Sequence, residues 1–267
     1  MCNFEKTIIM IHFDKLEENI EEFRIKYLTN QPFSYLIIDD FCDEDKLQKL
    51  RSQIPELNNK SRDYMFANNK FEKSNYKELG PLFDELYNDL KSDRFNKFLS
   101  YISAKEVFVD PKNHGGGLHQ GKKNSFLDMH LDFNYHPINK NWFRQMNLLL
   151  YLNTDWKEEY QGHLKIEDLR SGVKKELAVP FNRLIIQECG RHTLHGYDLT
   201  SFPEGNFRTS VATYAYTLHK THMETPRTTD WFPGEDSSKI KKLVAQNFDF
   251  AVKIKNKLFG SGTAKNQ

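Results

Sequence analysis

The chain has 267 residues, 38% of them hydrophobic and 28% charged, enough apolar material for one large domain with a buried core and too much for a wholly disordered chain. Its 38 basic and 37 acidic side chains leave a net charge of +1. No whole-molecule field therefore draws it to nucleic acid or to an anionic membrane, and neither is expected as a partner.

The N-terminal third reads as mostly helical. Over residues 14–27 the apolar side chains Leu16, Ile20, Phe23 and Tyr27 recur at helical spacing, with Asp14 as the expected cap, Glu17 completing a box-like pattern and Pro32 as the stop. Residues 33–41 read as a buried strand, and residues 43–54 as a capped helix ended by Pro55. An Asn- and Lys-rich loop is expected over 58–74, followed by one amphipathic helix over 80–101. After Glu106 short apolar runs (107–109, 146–152, 163–166, 184–187 and 210–218) alternate with Gly, Pro, Asn and Asp. That texture predicts an antiparallel sandwich or barrel rather than a parallel sheet. A Lys-rich amphipathic helix is expected over 238–259 and a loose tail over 260–267. The organisation expected is a single domain: a helical lead-in (1–104), a β core (105–220), and a C-terminal helix with its tail (221–267).

Cys2, Cys42 and Cys189 are too few and too scattered for a disulfide framework or a cysteine-rich zinc site. No run approaches the ~18 apolar residues of a membrane span, and residues 7–13 lack the flanks of a signal peptide. A reducing, cytoplasmic location is the expectation.

His130-Leu131-Asp132 opens the strand-rich half. Residues two apart on an extended chain face the same way, so one imidazole and one carboxylate reach a common point. One more histidine, His192 or His195, would complete two imidazoles and a carboxylate on one face of an octahedron, the arrangement of non-haem Fe(II) oxygenases. His195 is the preferred choice, because Gly196 permits close backbone approach and Arg208 follows on the next strand pattern. A chelating dicarboxylate needs a cation at its far end, and a planar guanidinium meets it with two parallel hydrogen bonds. Alternation through residues 206–214 points Arg208 inward together with Ser210 and Ala212.

With these residues in place, the chain resembles the prolyl-4-hydroxylase-type branch of the 2-oxoglutarate/Fe(II)-dependent dioxygenases. The matching segments are residues 114–120, 129–137, 144–156 and 180–183, then His195-Gly196 and residues 208–217, in family order. The resemblance implies a mainly β fold with flanking helices around a double-stranded β-helix, the cupin-like jelly roll. It implies His130, Asp132 and His195 as iron ligands, and Arg208 on the distal carboxylate of 2-oxoglutarate, with Tyr151 and Ser210 beside it. The implied cofactors are Fe(II), 2-oxoglutarate and O2, with ascorbate as a candidate accessory reductant. The implied reaction is hydroxylation of an unactivated C–H bond in an amino acid, a peptidyl residue such as proline, or a small metabolite. Desaturation or cyclisation after the same hydrogen abstraction, and a non-catalytic jelly-roll binding module, are the alternatives. The substrate is thus a small molecule or a peptide, and oligomeric state is left open.

Two departures from the branch stand out. Gln161-Gly162-His163 replaces paired glycines and an acidic residue, with His163 either a substrate contact or an exposed strand residue. The interval from His195 to Arg208 is also longer than in the animal prolyl hydroxylases. Asp132 argues against halogenating relatives, where a small residue stands. Gly115–Gly117 reads as a lid or a plain loop, Arg183 as structural, and Trp142, Phe143 and Trp156 as cleft lining or core.

Overall fold

The computed structural model describes residues 9–58 and 65–259; Cys2 and the tail over 260–267 lie outside them. Eleven strands form one curled antiparallel sheet in the order β1-β8-β5-β10-β4-β9-β6-β7, with β2 and β11 added along β4 and β3 along β10. The strands are β1 (Tyr35–Ile38), β2 (Ala67–Lys73), β3 (Phe108–Val109), β4 (Gly117–Leu131), β5 (Trp142–Tyr151), β6 (Leu164–Asp168), β7 (Lys174–Leu177), β8 (Arg183–Glu188), β9 (Thr193–Tyr197), β10 (Arg208–Leu218) and β11 (Asp230–Phe232). Curled in this way, the sheet is a jelly-roll-type fold, as the sequence implies.

β4 turns the corner. Its first part, from Gly117 to Gly121, pairs with β10, whereas Leu127 and His130 pair with β9 across an irregular step. One strand therefore belongs to both halves of the roll. Gly117, at φ 148°, sits where an added Cβ would lie 2.7 Å from the Lys73 carbonyl oxygen, so the 115–117 glycines admit close packing of β4 against β2.

Among the described residues six α-helices flank the sheet: α1 (Phe13–Glu18), α2 (Ile20–Thr29), α3 (Glu44–Ser52), α4 (Pro81–Leu90), α5 (Asp93–Ser103) and α6 (Lys239–Phe259). The main core lies between α1–α5 and the outer face of β1, β5, β8 and β10, where Leu36, Met146, Leu148, Leu150 and Ile186 meet Phe13, Leu47, Phe83 and Phe95. A smaller cluster, including Tyr35, Tyr151, Ile166 and Ile185, fills the inside of the roll. β5 is thus covered on both faces, which is why residues 146–152 read as a continuous apolar run.

Four local expectations are corrected. Asp14 does not cap its helix; Asp14 and Glu17 instead hold Arg94 of α5, and the helix breaks at Asn19 into α1 and α2. The single helix over 80–101 is two, because Ser92 accepts from the Phe95 amide and starts α5 anew. The expected loop over 58–74 contains β2. His163 precedes β6 rather than lying in it; it pairs with Glu158 at 2.7 Å and packs edge-on against Trp156. Asp43 caps α3 through the Lys46 amide, as its position predicts. No helix among the described residues is long and apolar enough to cross a membrane.

Candidate active site

The open end of the roll holds a cavity of about 690 Å³ walled by β2, β4, β5, β9 and β10. His130 at the end of β4 and His195 in the middle of β9 are cross-strand partners, with ring centroids 4.2 Å apart. Gly196 makes this pairing possible, since a Cβ there would lie 2.6 Å from the Leu127 carbonyl oxygen. Asp132, two residues beyond His130, places its carboxylate 3.7 Å from His130 Nε2 and 3.4 Å from His195 Nε2. Candidate ligand atoms of the three residues all lie within 4.8 Å of one another. His192, the alternative third histidine, is not part of this group.

The donor set suits a divalent cation. The ring Nδ1–H of His130 donates to the Asp128 carbonyl at 2.9 Å, which leaves the Nε2 lone pair facing Asp132. Burial holds both imidazoles below their ordinary pKa, His195 down to about 3, so each is a neutral ligand at pH 7. Burial pushes the Asp132 carboxyl up, but the Arg144 guanidinium, helped by the hydrogen bond from Asn147, outweighs it and holds the group well below the usual carboxylate range.

Arg144 is a residue that sequence reasoning passed over. Only 1% exposed, it places Nη2 3.1 Å from Asp132 Oδ2. Its Nε and Nη2 also donate to Asn147 Oδ1 at 2.9 and 2.7 Å. Asn147 in turn donates to Asp132 at 2.8 Å. The guanidinium lies 3.4 Å from the centre of the Tyr214 ring. No sequence signal marks an arginine as buried; the one available clue was the apolar run around it.

Arg208 enters the same cavity from β10, with Ser210, Ala212 and Tyr214 on its face of the strand. It is 7% exposed, donates to the Gly162 carbonyl at 2.6 Å and to Tyr151 Oη at 3.3 Å, and lies 4.0 Å from the Tyr197 ring centre. Ser210 pairs with Tyr151 on β5 and with His119 on β4. Trp142, Phe143, Trp156 and His163 do not line the cavity; Trp231 of β11 does, 4.9 Å from the His130 ring. Arg183 serves the scaffold through two bonds to Asp39, at 2.6 and 2.9 Å.

A second group, Asp110, His114 and His136, is also close enough to hold a metal. His136 Nδ1 accepts from the Ile138 and Asn139 amides at 3.1 and 2.9 Å, so its proton sits on Nε2 and points at Asp110, 3.2 Å away. Asp110 also accepts from the His114 amide and ring and from the Lys112 amide. Burial raises this carboxyl, but these four donors outweigh it and hold it far down. It is a structural knot.

A curled antiparallel roll with two histidines and an aspartate at its open end is the make-up of a mononuclear non-haem iron oxygenase. Residues 113–216 match the model of the 2OG-Fe(II) oxygenase superfamily, so this stretch carries a domain of the kind that uses Fe(II), 2-oxoglutarate and O2. No curated protein sequence matches the chain. Among solved structures it is similar to prolyl 4-hydroxylases from Phytophthora capsici (17% identity, TM-score 0.53, 80% of this chain and 68% of that one). It is also similar to one from Pseudomonas putida (15%, TM-score 0.54, 74% and 99%). A third is a prolyl hydroxylase from Trichoplax adhaerens, solved with a hypoxia inducible factor oxygen degradation domain peptide fragment (13%, TM-score 0.55, 76% and 91%). At these identities the likeness is one of fold.

Proposed function

We propose that the protein hydroxylates an unactivated C–H bond of an amino acid, a peptidyl residue or a small metabolite, with His130, Asp132 and His195 holding the iron. 2-Oxoglutarate would be consumed alongside, one oxygen atom of O2 going to the substrate and the other to succinate, with release of CO2. The observation that carries the reading is the convergence of three ligand atoms, one imidazole already fixed in the ligating tautomer. Iron bound there would supply the oxidising power for C–H cleavage that no side chain possesses.

The remaining tasks fall to the chain itself. Arg208, fixed by Gly162 and Tyr151, takes the distal carboxylate of 2-oxoglutarate through its guanidinium edge, with Tyr151 and Ser210 beside it. Asn147 and Arg144 orient the Asp132 carboxylate. Leu149, Leu164 and the Tyr197 ring line the cavity between the charged groups and exclude water from its depth.

The test is anaerobic addition of Fe(II) and 2-oxoglutarate, followed by visible absorbance. A weak charge-transfer band in the intact protein, absent in His130→Ala, is the expected result. A folded, metal-loaded protein with no band would overturn the reading.

A further inference from the structure

We propose that the C-terminal helix α6 belongs to the metal site: through Trp231 of β11 it holds the His130 imidazole in its ligating orientation. Trp231 is then a positioning residue. The inference rests on the reading of His130, Asp132 and His195 as metal ligands. It goes beyond that reading, since β11 and α6 lie outside the 113–216 stretch that matches the family model.

Three adjacent strands carry a row of rings across the cavity wall. His130 on β4 stands opposite His195 of β9 along one edge and opposite Trp231 of β11 along the other. Cross-strand partners share a face of the sheet, and all three side chains line the cavity. The His130 ring is therefore flanked on both sides, with His195 at 4.2 Å and 47° and Trp231 at 4.9 Å and 34°. The row continues outward. The indole stacks on Phe66 at 4.9 Å and 12°, and Phe248 of α6 meets both rings edge-on, the indole at 6.1 Å and Phe66 at 5.7 Å.

The imidazole needs a support of this kind. Rotation about the bond from a histidine ring to its Cβ lies in a broad torsional well. The bond from Nδ1–H to the Asp128 carbonyl fixes the ring at one point only. A ring free to rock about that point must be stilled when a metal binds, at a cost in affinity. Packing on both sides removes the motion beforehand.

β11 cannot supply this packing alone, because a strand of three residues is too short to stand by itself. α6 is held against the site at two points. Phe248 closes over the indole, and Lys241 pairs at 2.6 Å with Asp128, the residue whose carbonyl holds His130. The Asp128 amide in turn donates to the Phe66 carbonyl at 2.8 Å. Helix, indole and candidate ligand are one continuous run of contacts.

The test compares the full chain with Trp231→Phe, Trp231→Leu, Phe248→Leu and a main-core control, Phe95→Leu, whose ring touches none of the row. Circular dichroism and melting establish folding. Chelator competition under anaerobic conditions gives the Fe(II) and Co(II) affinities. The visible band of the protein loaded with Fe(II) and 2-oxoglutarate reports ligand geometry. Trp231→Leu should weaken both metals about 10-fold and shift the band. Trp231→Phe keeps an aromatic ring and should stay within about threefold of the parent, and Phe248→Leu should lose about threefold. Phe95→Leu should lower the melting temperature and leave metal affinity and band as they are. A folded Trp231→Leu that binds metal like the parent would overturn the inference. So would an equal loss in Phe95→Leu, which would make the effect one of general destabilisation. Should Trp231→Leu fail to fold, Phe248→Leu decides: unchanged metal affinity there overturns the inference. A parent that binds neither metal would overturn the metal-site reading itself, a failure visible before any variant is made.

Discussion

Arg144 and Asp132 meet at 3.1 Å inside the site, the arginine nearly sealed from solvent and the carboxylate a candidate metal ligand. Two charges withdrawn from water at this depth hold each other in place only as a pair, so each depends on the other.

Replacing Arg144 by Met should therefore lower the stability of the metal-free protein by about 3 kcal/mol, because Asp132 is left buried without its cation. A bound divalent ion replaces that charge, so the melting temperature should rise more on metal addition in the variant than in the parent. Arg144→Lys should rescue little, since an ammonium cannot bridge Asn147 and Asp132 as the planar guanidinium does. Urea unfolding with and without metal checks all three; an unchanged metal-free stability in Arg144→Met would remove the pair's role.

Removal of the Arg208 guanidinium should be felt by 2-oxoglutarate alone. Arg208→Ala is expected to raise its dissociation constant about 100-fold, and Tyr151→Phe, which removes the hydroxyl that accepts from Nη2 at 3.3 Å, by about fivefold. Titration of the charge-transfer band measures both. Equal affinity in Arg208→Ala and the parent would place the distal carboxylate elsewhere.

Metal analysis should find one iron per chain. His130→Ala should lose it, whereas Asp110→Asn should retain it while costing about 3 kcal/mol of stability, since the buried donors of His114, His136 and Lys112 lose their charged acceptor. Two equivalents of tightly bound metal, one removed by Asp110→Asn, would make the knot a second centre.

Acid should weaken the fold through His119. Burial, reinforced by the Lys70 charge, brings its imidazole down to about 3 in the folded chain, against an ordinary value near 6.5 when unfolded. Between those values the unfolded chain binds a proton that the folded chain does not. Stability is therefore complete above pH 6.5 and falls as pH drops toward 3, by about 1.4 kcal/mol per pH unit from this residue. Denaturant midpoints of the parent and His119→Gln at pH 7.5 and 4.5 should diverge, the variant losing less; parallel losses would assign the acid sensitivity elsewhere.

The three candidate ligands were legible because a two-residue period and a chemically distinctive trio survive in any sequence context. Arg208, Ser210 and the face they share were legible for the same reason. β2 was not, because Asn68, Asn69, Lys70, Glu72 and Lys73 carry none of the apolar alternation that marks a half-buried strand; one of its faces looks into a polar cavity. The split between α4 and α5 hid behind a continuous amphipathic pattern, and only the cap at Ser92 separates them. Trp231 reaches the cavity through β11, a strand of three residues, too short for any pattern to register.

Because β4 belongs to both halves of the roll, the stretch between Gly121, opposite Arg208, and His130, opposite His195, acts as a ruler joining the two ends of the cavity. Inserting or deleting one residue within 122–129 would turn His130 toward the far side of the sheet and leave Arg208 where it is, uncoupling the metal from the co-substrate without unfolding the roll. Loops elsewhere can lengthen at small entropic cost. Like the two-residue step from His130 to Asp132, this segment is a dimension of the site that is set by counting residues.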